Sequence, residues 1–148
     1  MNRREFVGLK AVVTGGTDRE GGGDGPVVVL MHGFGAPGGD LVSLHRVIDA
    51  PPGTRFIFPE APIALGGPFG EGRAWWRIDM VELQKAAMTG DFEAMVNRRT
   101  DGLAESRALV DALLDDIEKD LGAPSSKIVL GGFSQGSMLA LDVALHAT

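Results

Sequence analysis

The chain has 148 residues, 44% of them hydrophobic, and a net charge of −6, which suits one folded domain (residues 1–148) rather than a disordered chain. The negative charge argues against nucleic acid or an anionic membrane as a partner. The absence of cysteine excludes disulfides, a cysteine nucleophile and cysteine-ligated metal. No apolar run suffices for a signal-peptide core or a bilayer span, so we expect a cytoplasmic protein.

The first third of the chain predicts two strands and a helix. Residues 9–14 predict a strand, and the Gly-rich residues 15–25 predict a loop. Residues 27–31 are continuously apolar, which is typical of a central parallel strand buried on both faces. Residues 40–48 carry apolar side chains at helical spacing, and we expect Asp40 to cap this helix and the following prolines to end it.

The middle of the chain is less regular. Residues 55–58 form a short apolar run between turn residues, which predicts a third strand. Residues 63–76 predict a long loop that carries both tryptophans of the chain. Residues 77–99 have no clear periodicity, and we interpret them as a broken helical excursion.

The last third alternates clearly between helix and strand. Residues 100–121 predict a helix with one apolar stripe, closed by Gly122 and Pro124. Residues 127–131 predict a strand, and residues 135–146 predict a final apolar helix. Alternating strands and helices indicate an α/β domain, with a mostly parallel sheet and helices on both faces.

A Gly-x-Ser-x-Gly pentapeptide, residues 132–136, lies where the last predicted strand meets the last helix. Such a turn exposes the Ser134 hydroxyl at its tip, and the small glycines relieve crowding on either side. The start of the following helix offers main-chain N–H groups to a developing oxyanion. Ser134 is therefore the candidate nucleophile; the alternative is an ordinary strand-to-helix turn that happens to contain Gly and Ser.

A second Gly-rich turn, His32-Gly33-Phe34-Gly35, follows the strand at residues 27–31. Acyl transfer needs two donors aimed at the oxyanion, and we expect the main-chain N–H groups of Phe34 and Gln135 to supply them. The alternative is a phosphate-binding turn, but no nucleotide-binding glycine pattern follows. We expect His32 to order this turn by hydrogen bonding rather than to act as a base.

With these motifs in place, the sequence resembles the phospholipase/carboxylesterase family, which includes acyl-protein thioesterase-like esterases. The matching segments are LMHGFGA (30–36), FPEAP (58–62), GRAWWRID (72–79), DGLAESRALVDALL (101–114) and SSKIVLGGFSQG (125–136). The resemblance implies an α/β-hydrolase fold and hydrolysis of small carboxylic esters or thioesters without metal or other cofactor. It implies Ser134 as nucleophile, Phe34 and Gln135 as oxyanion donors, and a possible acyl pocket near Trp75 and Trp76; the alternative for these tryptophans is the core.

The acid and base of a catalytic triad are not evident after Ser134. Only Asp142 and His146 follow, both on the helix that leaves the turn, and Asp142 is about 12 Å along that helix. We therefore expect the N-terminal part of the fold, lacking its later strands, as in a truncated gene product or a fragment. Residues 127–131 would then form an apolar sheet edge through which the chain could form a homo-oligomer.

Three functional hypotheses follow. The first is a serine carboxylesterase, active when the domain is completed. The second is a catalytically impaired fragment that serves as a non-enzymatic or oligomerising module. The third recruits His32 or His146 as a surrogate base, across a dimer if needed.

Overall fold

A computed structural model describes residues 1–91, 93 and 102–147. In that part of the chain the central sheet has five strands: β1 (Asn2–Phe6), β2 (Leu9–Gly15), β3 (Val27–Met31), β4 (Arg55–Pro59) and β7 (Ile128–Gly132). Their spatial order is β1-β2-β4-β3-β7. Strands β4, β3 and β7 are mutually parallel, and only β2 runs against its neighbours. The predicted mostly parallel sheet is confirmed, with β7 at its edge.

Helices cover one face of this sheet. The described α-helices are α1 (Met80–Thr89), α2 (Leu103–Leu121) and α3 (Gln135–His146). The hydrophobic core forms where α2 and α3 meet alternate strand residues; it includes Val13, Val29, Ile57, Val110, Leu113, Ile117, Leu139 and Val143. Each such side chain contributes about 1.5–3 kcal/mol by leaving water.

The opposite face of the sheet carries a short 3-10 helix, Val42–Arg46. Phe56 and Phe58 stack on this face with ring centroids 6.4 Å apart, and the His45 ring lies 6.3 Å from that of Phe56. The helix predicted at residues 40–48 is therefore wrong beyond this one turn. Asp40 does not cap it, and none of its residues is buried, so no packing stabilises a longer helix.

Strand β1 was not predicted. It forms a hairpin with β2 through the two-residue turn Val7-Gly8, whose φ angles of 46° and 81° are those of the turn that best matches strand twist. Phe6 is buried in the core, and Arg4 forms an ion pair with Asp120 of α2. These long-range contacts hold a strand whose own composition is mostly charged.

The segment predicted as a loop at residues 63–76 contains a small hairpin, β5 (Ile63–Ala64) and β6 (Arg73–Ala74), and a 3-10 turn, Gly67–Phe69. Helix α1 accounts for part of the predicted excursion at residues 77–99, and Asp79 caps it by accepting two main-chain N–H groups. The rest of that excursion, and the predicted helix start at residues 100–101, lie outside the described residues. A third 3-10 turn, Ser125–Lys127, leads into β7.

Candidate active site

Ser134 lies at the sharp turn between β7 and α3, with its side chain exposed. Its φ of 52° and ψ of −115° are costly for a residue with a Cβ atom, by about 1–3 kcal/mol. The side chain makes no capping hydrogen bond, while the main-chain oxygen accepts the N–H of Met138 and the hydroxyl of Ser137. The first turn of α3 is thus formed without the Ser134 hydroxyl, which stays directed to solvent.

The two glycines of the pentapeptide are required by close packing of main chain on main chain. A Cβ at Gly136 would collide with the Met31 oxygen and lie 2.7 Å from the His32 oxygen. A Cβ at Gly132 would lie 2.6 Å from the Gly136 oxygen and 2.8 Å from the Met31 oxygen. The turn after β3 and the turn after β7 therefore press directly against each other.

This contact brings the two predicted oxyanion donors to the same end of the sheet. An ideal Cβ at Gly33 would lie 3.3 Å from the Ser134 Cβ, so the residue before Phe34 adjoins the serine. Within the described part of the chain, neither the N–H of Phe34 nor that of Gln135 donates a hydrogen bond. Both amides remain available for an anion.

The turn that carries Phe34 is fastened to the β5–β6 hairpin. The Gly35 N–H donates to the Arg73 oxygen at 2.9 Å, and the Arg73 N–H donates back to the Ala36 oxygen at 3.0 Å. The Arg73 guanidinium donates to the oxygens of Ala61 and Pro62 and pairs with Glu60 at 3.1 Å. The sequence patterns did not single out Arg73, because its partners are mainly backbone atoms distant in sequence.

His32 is buried, and both of its ring nitrogens are engaged. Nε2 accepts the Ala61 N–H at 3.0 Å, so the proton must lie on Nδ1, which donates to the Gly33 oxygen at 2.9 Å. Burial lowers the pKa of this imidazole below its ordinary value, which favours the neutral ring. The structure confirms that His32 orders the turn by hydrogen bonding.

Trp75 and Trp76 are held behind the site by the Gln135 side chain. Its Oε1 accepts the main-chain N–H of Trp75 at 2.9 Å, and its Nε2 donates to the main-chain oxygen of Trp76 at 2.8 Å. The Trp75 indole donates to the His32 oxygen, and Ser106 donates to the Trp75 oxygen. Both indoles are buried in the core, and their part in an acyl pocket stays a prediction.

Phenylalanine rings provide the apolar surface beside the serine. Phe34 and Phe69 meet edge to face with centroids 5.5 Å apart. Phe133, the residue before the serine, is well exposed and lies against Gly33. The apolar part of a substrate bound at Ser134 would meet these rings first.

The only acid and histidine that follow Ser134 are engaged elsewhere. The Asp142 carboxylate pairs with Arg107 of α2 at 2.6 Å and so joins the two helices. His146 ends α3, where its Nδ1 lies 2.8 Å from the Asp142 main-chain oxygen. Neither side chain is placed to take a proton from Ser134.

An open cleft of about 810 Å³ lies beside β1 and β2, away from the serine. Its walls carry charges of both signs, including Arg3, Lys10, Glu60 and Arg73, which gives no reason to place the chemistry there. Among residues 1–91, 93 and 102–147, no cluster of acidic and histidine side chains could hold a metal. No helix in those ranges has the length and apolar character to cross a membrane.

Comparison with known sequences gives consistent matches. Residues 18–148 match the family model described as Phospholipase/Carboxylesterase. The chain is 35% identical over 119 residues to acyl-protein thioesterase 1 of Emericella nidulans, a match that covers 77% of this chain and 48% of that protein. The same protein of Yarrowia lipolytica is 33% identical over 120 residues, with the same coverage. The chain spans about half the length of these curated relatives.

Solved structures give the same picture of the fold. The chain resembles esterase PE8 with a TM-score of 0.72 and 28% identity, over 94% of this chain and 58% of that one. It resembles acyl-protein thioesterase 2 of Zea mays with a TM-score of 0.56 and 24% identity, over 90% of this chain and 50% of that one. The second likeness supports the fold alone.

Proposed function

The chain belongs to the phospholipase/carboxylesterase family and contains part of an α/β-hydrolase fold, and from this premise we propose that it forms the nucleophile-bearing part of a serine ester hydrolase. In this proposal the Ser134 oxygen attacks the acyl carbonyl of a small carboxylic ester. One observation supports it: an exposed serine in a strained strand-to-helix turn lies against Gly33, and the neighbouring N–H groups of Phe34 and Gln135 have no described acceptor.

The reaction has two acyl-transfer steps. Attack by Ser134 gives a tetrahedral intermediate whose negative oxygen accepts hydrogen bonds from the N–H groups of Phe34 and Gln135. Collapse of the intermediate expels the alcohol, which takes up a proton, and leaves an acyl ester on Ser134. Attack by water then releases the acid and regenerates the serine. Each oxyanion donor is expected to contribute about 2.7–4 kcal/mol of transition-state stabilisation.

The Ser134 hydroxyl also needs a base that takes its proton. His32 cannot fill that role while its one basic ring nitrogen, Nε2, accepts the Ala61 N–H, and His146 lies at the far end of α3. A serine without its base retains only the small catalysis that the oxyanion donors and binding provide. We therefore expect high activity only where an imidazole and a carboxylate from outside the described residues reach the serine.

The rings beside the serine and the names of the relatives both indicate which substrates to consider. The exposed rings of Phe69 and Phe133, with the half-buried Phe34 ring against Phe69, favour an apolar acyl or alcohol part next to the serine. Curated relatives carry the name acyl-protein thioesterase, so thioesters join short-chain esters and lysophospholipids as candidate substrates. A cytoplasmic location and the absence of cofactor and nucleic-acid partners remain expectations from the sequence.

A fluorophosphonate probe tests the proposal directly. We expect slow covalent labelling at Ser134 in this chain, because no described base activates the hydroxyl, and its loss in Ser134→Ala; peptide mass spectrometry identifies the labelled residue. Ser137→Ala is the matched control, because Ser137 is an exposed serine one helical turn away, and its labelling should stay unchanged. Folded protein without any label at Ser134 would contradict the proposal and favour a non-catalytic module, the second candidate supported by the engaged Asp142.

Turnover of p-nitrophenyl acetate, a longer p-nitrophenyl ester and an acyl thioester separates the substrate classes. If the rings of Phe34, Phe69 and Phe133 bind the acyl group, kcat/KM should rise with acyl length and fall in Phe133→Ala. A flat profile would assign these rings to the leaving group instead.

A further inference from the structure

The two proposed oxyanion donors belong to different turns, yet one short segment contacts both turns. This linking segment consists of β6 and Trp75. At its first residue, the Arg73 N–H donates to the Ala36 oxygen and the Arg73 oxygen accepts the Gly35 N–H. At its last residue, the main-chain N–H of Trp75 donates to the Gln135 side chain at 2.9 Å. The spacing of the two donor N–H groups therefore depends on where the linking segment lies.

Main-chain packing ties the linking segment closely to the turn that carries Phe34. A Cβ at Gly72, the residue before the segment, would collide with the Gly35 oxygen. Within the turn, the Ala36 N–H donates to the Gly33 oxygen at 3.3 Å. Because closely packed main-chain segments have little room to shift independently, a movement of the linking segment would move the turn with it.

The Arg73 guanidinium fixes the linking segment to the main chain that follows β4. Its Nε donates to the Ala61 oxygen at 2.6 Å, and one terminal nitrogen donates to the Pro62 oxygen at 3.1 Å. Ala61 is fully buried, and its own N–H donates to the His32 ring. The hydrogen bonds thus run from the His32 ring through Ala61 and Arg73 back to the turn that follows β3.

The Glu60 carboxylate adds charge to this arrangement but does not set its geometry. It lies 3.1 Å from the Arg73 Nε, whose single hydrogen is donated to the Ala61 oxygen. The two charged side chains are 26% and 31% exposed, and ion pairs at partly exposed positions contribute little. The hydrogen bonds to main-chain oxygens, which require the planar fork of an arginine, therefore fix the linking segment.

We propose that Arg73 is a positioning residue that sets where the Phe34 N–H lies relative to the Gln135 N–H. Its guanidinium holds the linking segment through main-chain oxygens, so it acts on the turn and not on the reacting atoms. The inference rests on the proposed function, because the place of a donor matters only where an oxyanion forms. A displacement of about 1 Å is enough to lower a rate about 100-fold.

The test compares Arg73→Lys and Glu60→Gln with the parent chain in two measurements. One is the maximal rate of fluorophosphonate labelling at Ser134 with saturating probe, and the other is hydrogen exchange of the Gly35 amide. Lysine keeps the charge beside Glu60 but lacks the fork that joins two oxygens. In Arg73→Lys we expect both the labelling rate and the protection of the amide to fall about 10-fold or more. Glu60→Gln should keep both within about twofold of the parent.

Arg4→Lys is the matched control, since Arg4 is also a partly exposed arginine in an ion pair, formed with Asp120 of α2. It should leave both measurements unchanged. Gly72→Ala displaces the Gly35 oxygen without touching the guanidinium, so it should reproduce both losses; parent values in this variant would overturn the proposal. Denaturant titrations show that each rate is that of folded protein. A role in stability alone would lower the free energy of unfolding and leave the maximal labelling rate at the parent value.

The proposal is overturned if Arg73→Lys labels as fast as the parent or keeps the protection of its Gly35 amide. It is also overturned if Glu60→Gln or Arg4→Lys produces equal losses, since charge or a general perturbation would then be the cause. A folded parent chain without label at Ser134 would refute the proposed function. Loss of protection at Gly35 in Arg73→Lys would then still show that the guanidinium holds the turn.

Discussion

The two sides of Ser134 differ in how completely they are built. On the side of β3, His32 and Arg73 hold the turn that carries Phe34, the Gln135 side chain holds the adjoining tryptophan segment, and the described buried side-chain polar atoms are paired. On the side of the β7 edge, apolar side chains are exposed, and no base among the described residues lies near Ser134. Under the proposed function, the groups that stabilise negative charge and the groups that move the proton would therefore lie in different parts of the fold.

Gly136→Ala should have the largest effect on stability, because Gly136 makes the tightest main-chain contact on the β3 side of Ser134. The new methyl group would collide with the Met31 oxygen, and neither main-chain segment can yield without moving the turn. We expect a loss of about 3 kcal/mol or more in the free energy of unfolding, measured by denaturant titration. Gly39→Ala is the control, since a Cβ there meets nothing within 4 Å. Equal stability of the two variants would refute the close approach.

Gln135→Leu removes the amide that joins the two tryptophan segments to the turn. The Trp75 N–H and the Trp76 oxygen would lose their partners, at roughly 1–3 kcal/mol for each buried group. The free energy of unfolding should fall accordingly, while Gln84→Leu on the exposed side of α1 should change it little. A loss no greater than that of Gln84→Leu would show that the bridge is dispensable.

Protonation of His32 should lower the free energy of unfolding as the pH falls. Its pKa is depressed by burial, so the unfolded chain binds the proton more readily than the folded one. The stabilisation is complete above the ordinary value of 6.5 and is lost as pH falls through that value toward the depressed pKa. Unfolding free energies at pH 7.5 and 5.5 should differ less in His32→Gln than in the parent.

His146→Gln leaves the buried imidazole in place and serves as the control for this pH dependence. It should keep the difference between pH 7.5 and 5.5 seen in the parent. A parent whose stability does not fall over this interval would mean that burial does not hold His32 in its neutral form.

Asp142→Asn should have the smallest effect on stability, and it tests whether Asp142 contributes to the reactivity of Ser134. The carboxylate pairs with Arg107 at a partly exposed position, so the free energy of unfolding should fall by less than about 1 kcal/mol. The rate of fluorophosphonate labelling at Ser134 should not change, and Arg107→Gln should behave alike. A tenfold drop in the labelling rate of Asp142→Asn alone would assign Asp142 a role in proton transfer.

Those parts of the fold that bury an apolar run were predictable from sequence. Strand β3 was predicted at its observed bounds, as was helix α3, because continuous or periodic apolar residues report burial directly. Strand β1 was not predicted, because its sequence is mostly charged and it forms a strand only by pairing with β2. The helix at residues 40–48 was over-predicted, because helical spacing cannot reveal that no partner buries the stripe.

The candidate site likewise has parts that the sequence predicted and parts that it did not. Ser134 and the Gly-rich turn at residues 32–35 follow from local motifs whose neighbours must be small. The side-chain bridge of Gln135 and the clamp of Arg73 were missed, since each joins main-chain atoms of distant segments and leaves no spacing pattern. The predicted roles of Phe34 and Gln135 as donors await the labelling and turnover experiments.

Both tryptophans of the chain lie in one buried cluster behind the turn that carries Phe34. The Trp75 indole lies 5.6 Å from the His32 ring and donates to the His32 main-chain oxygen. The tryptophan fluorescence of this chain therefore originates entirely from the buried residues behind the candidate site. A red shift of the emission would signal that water has reached these residues, without any engineered probe.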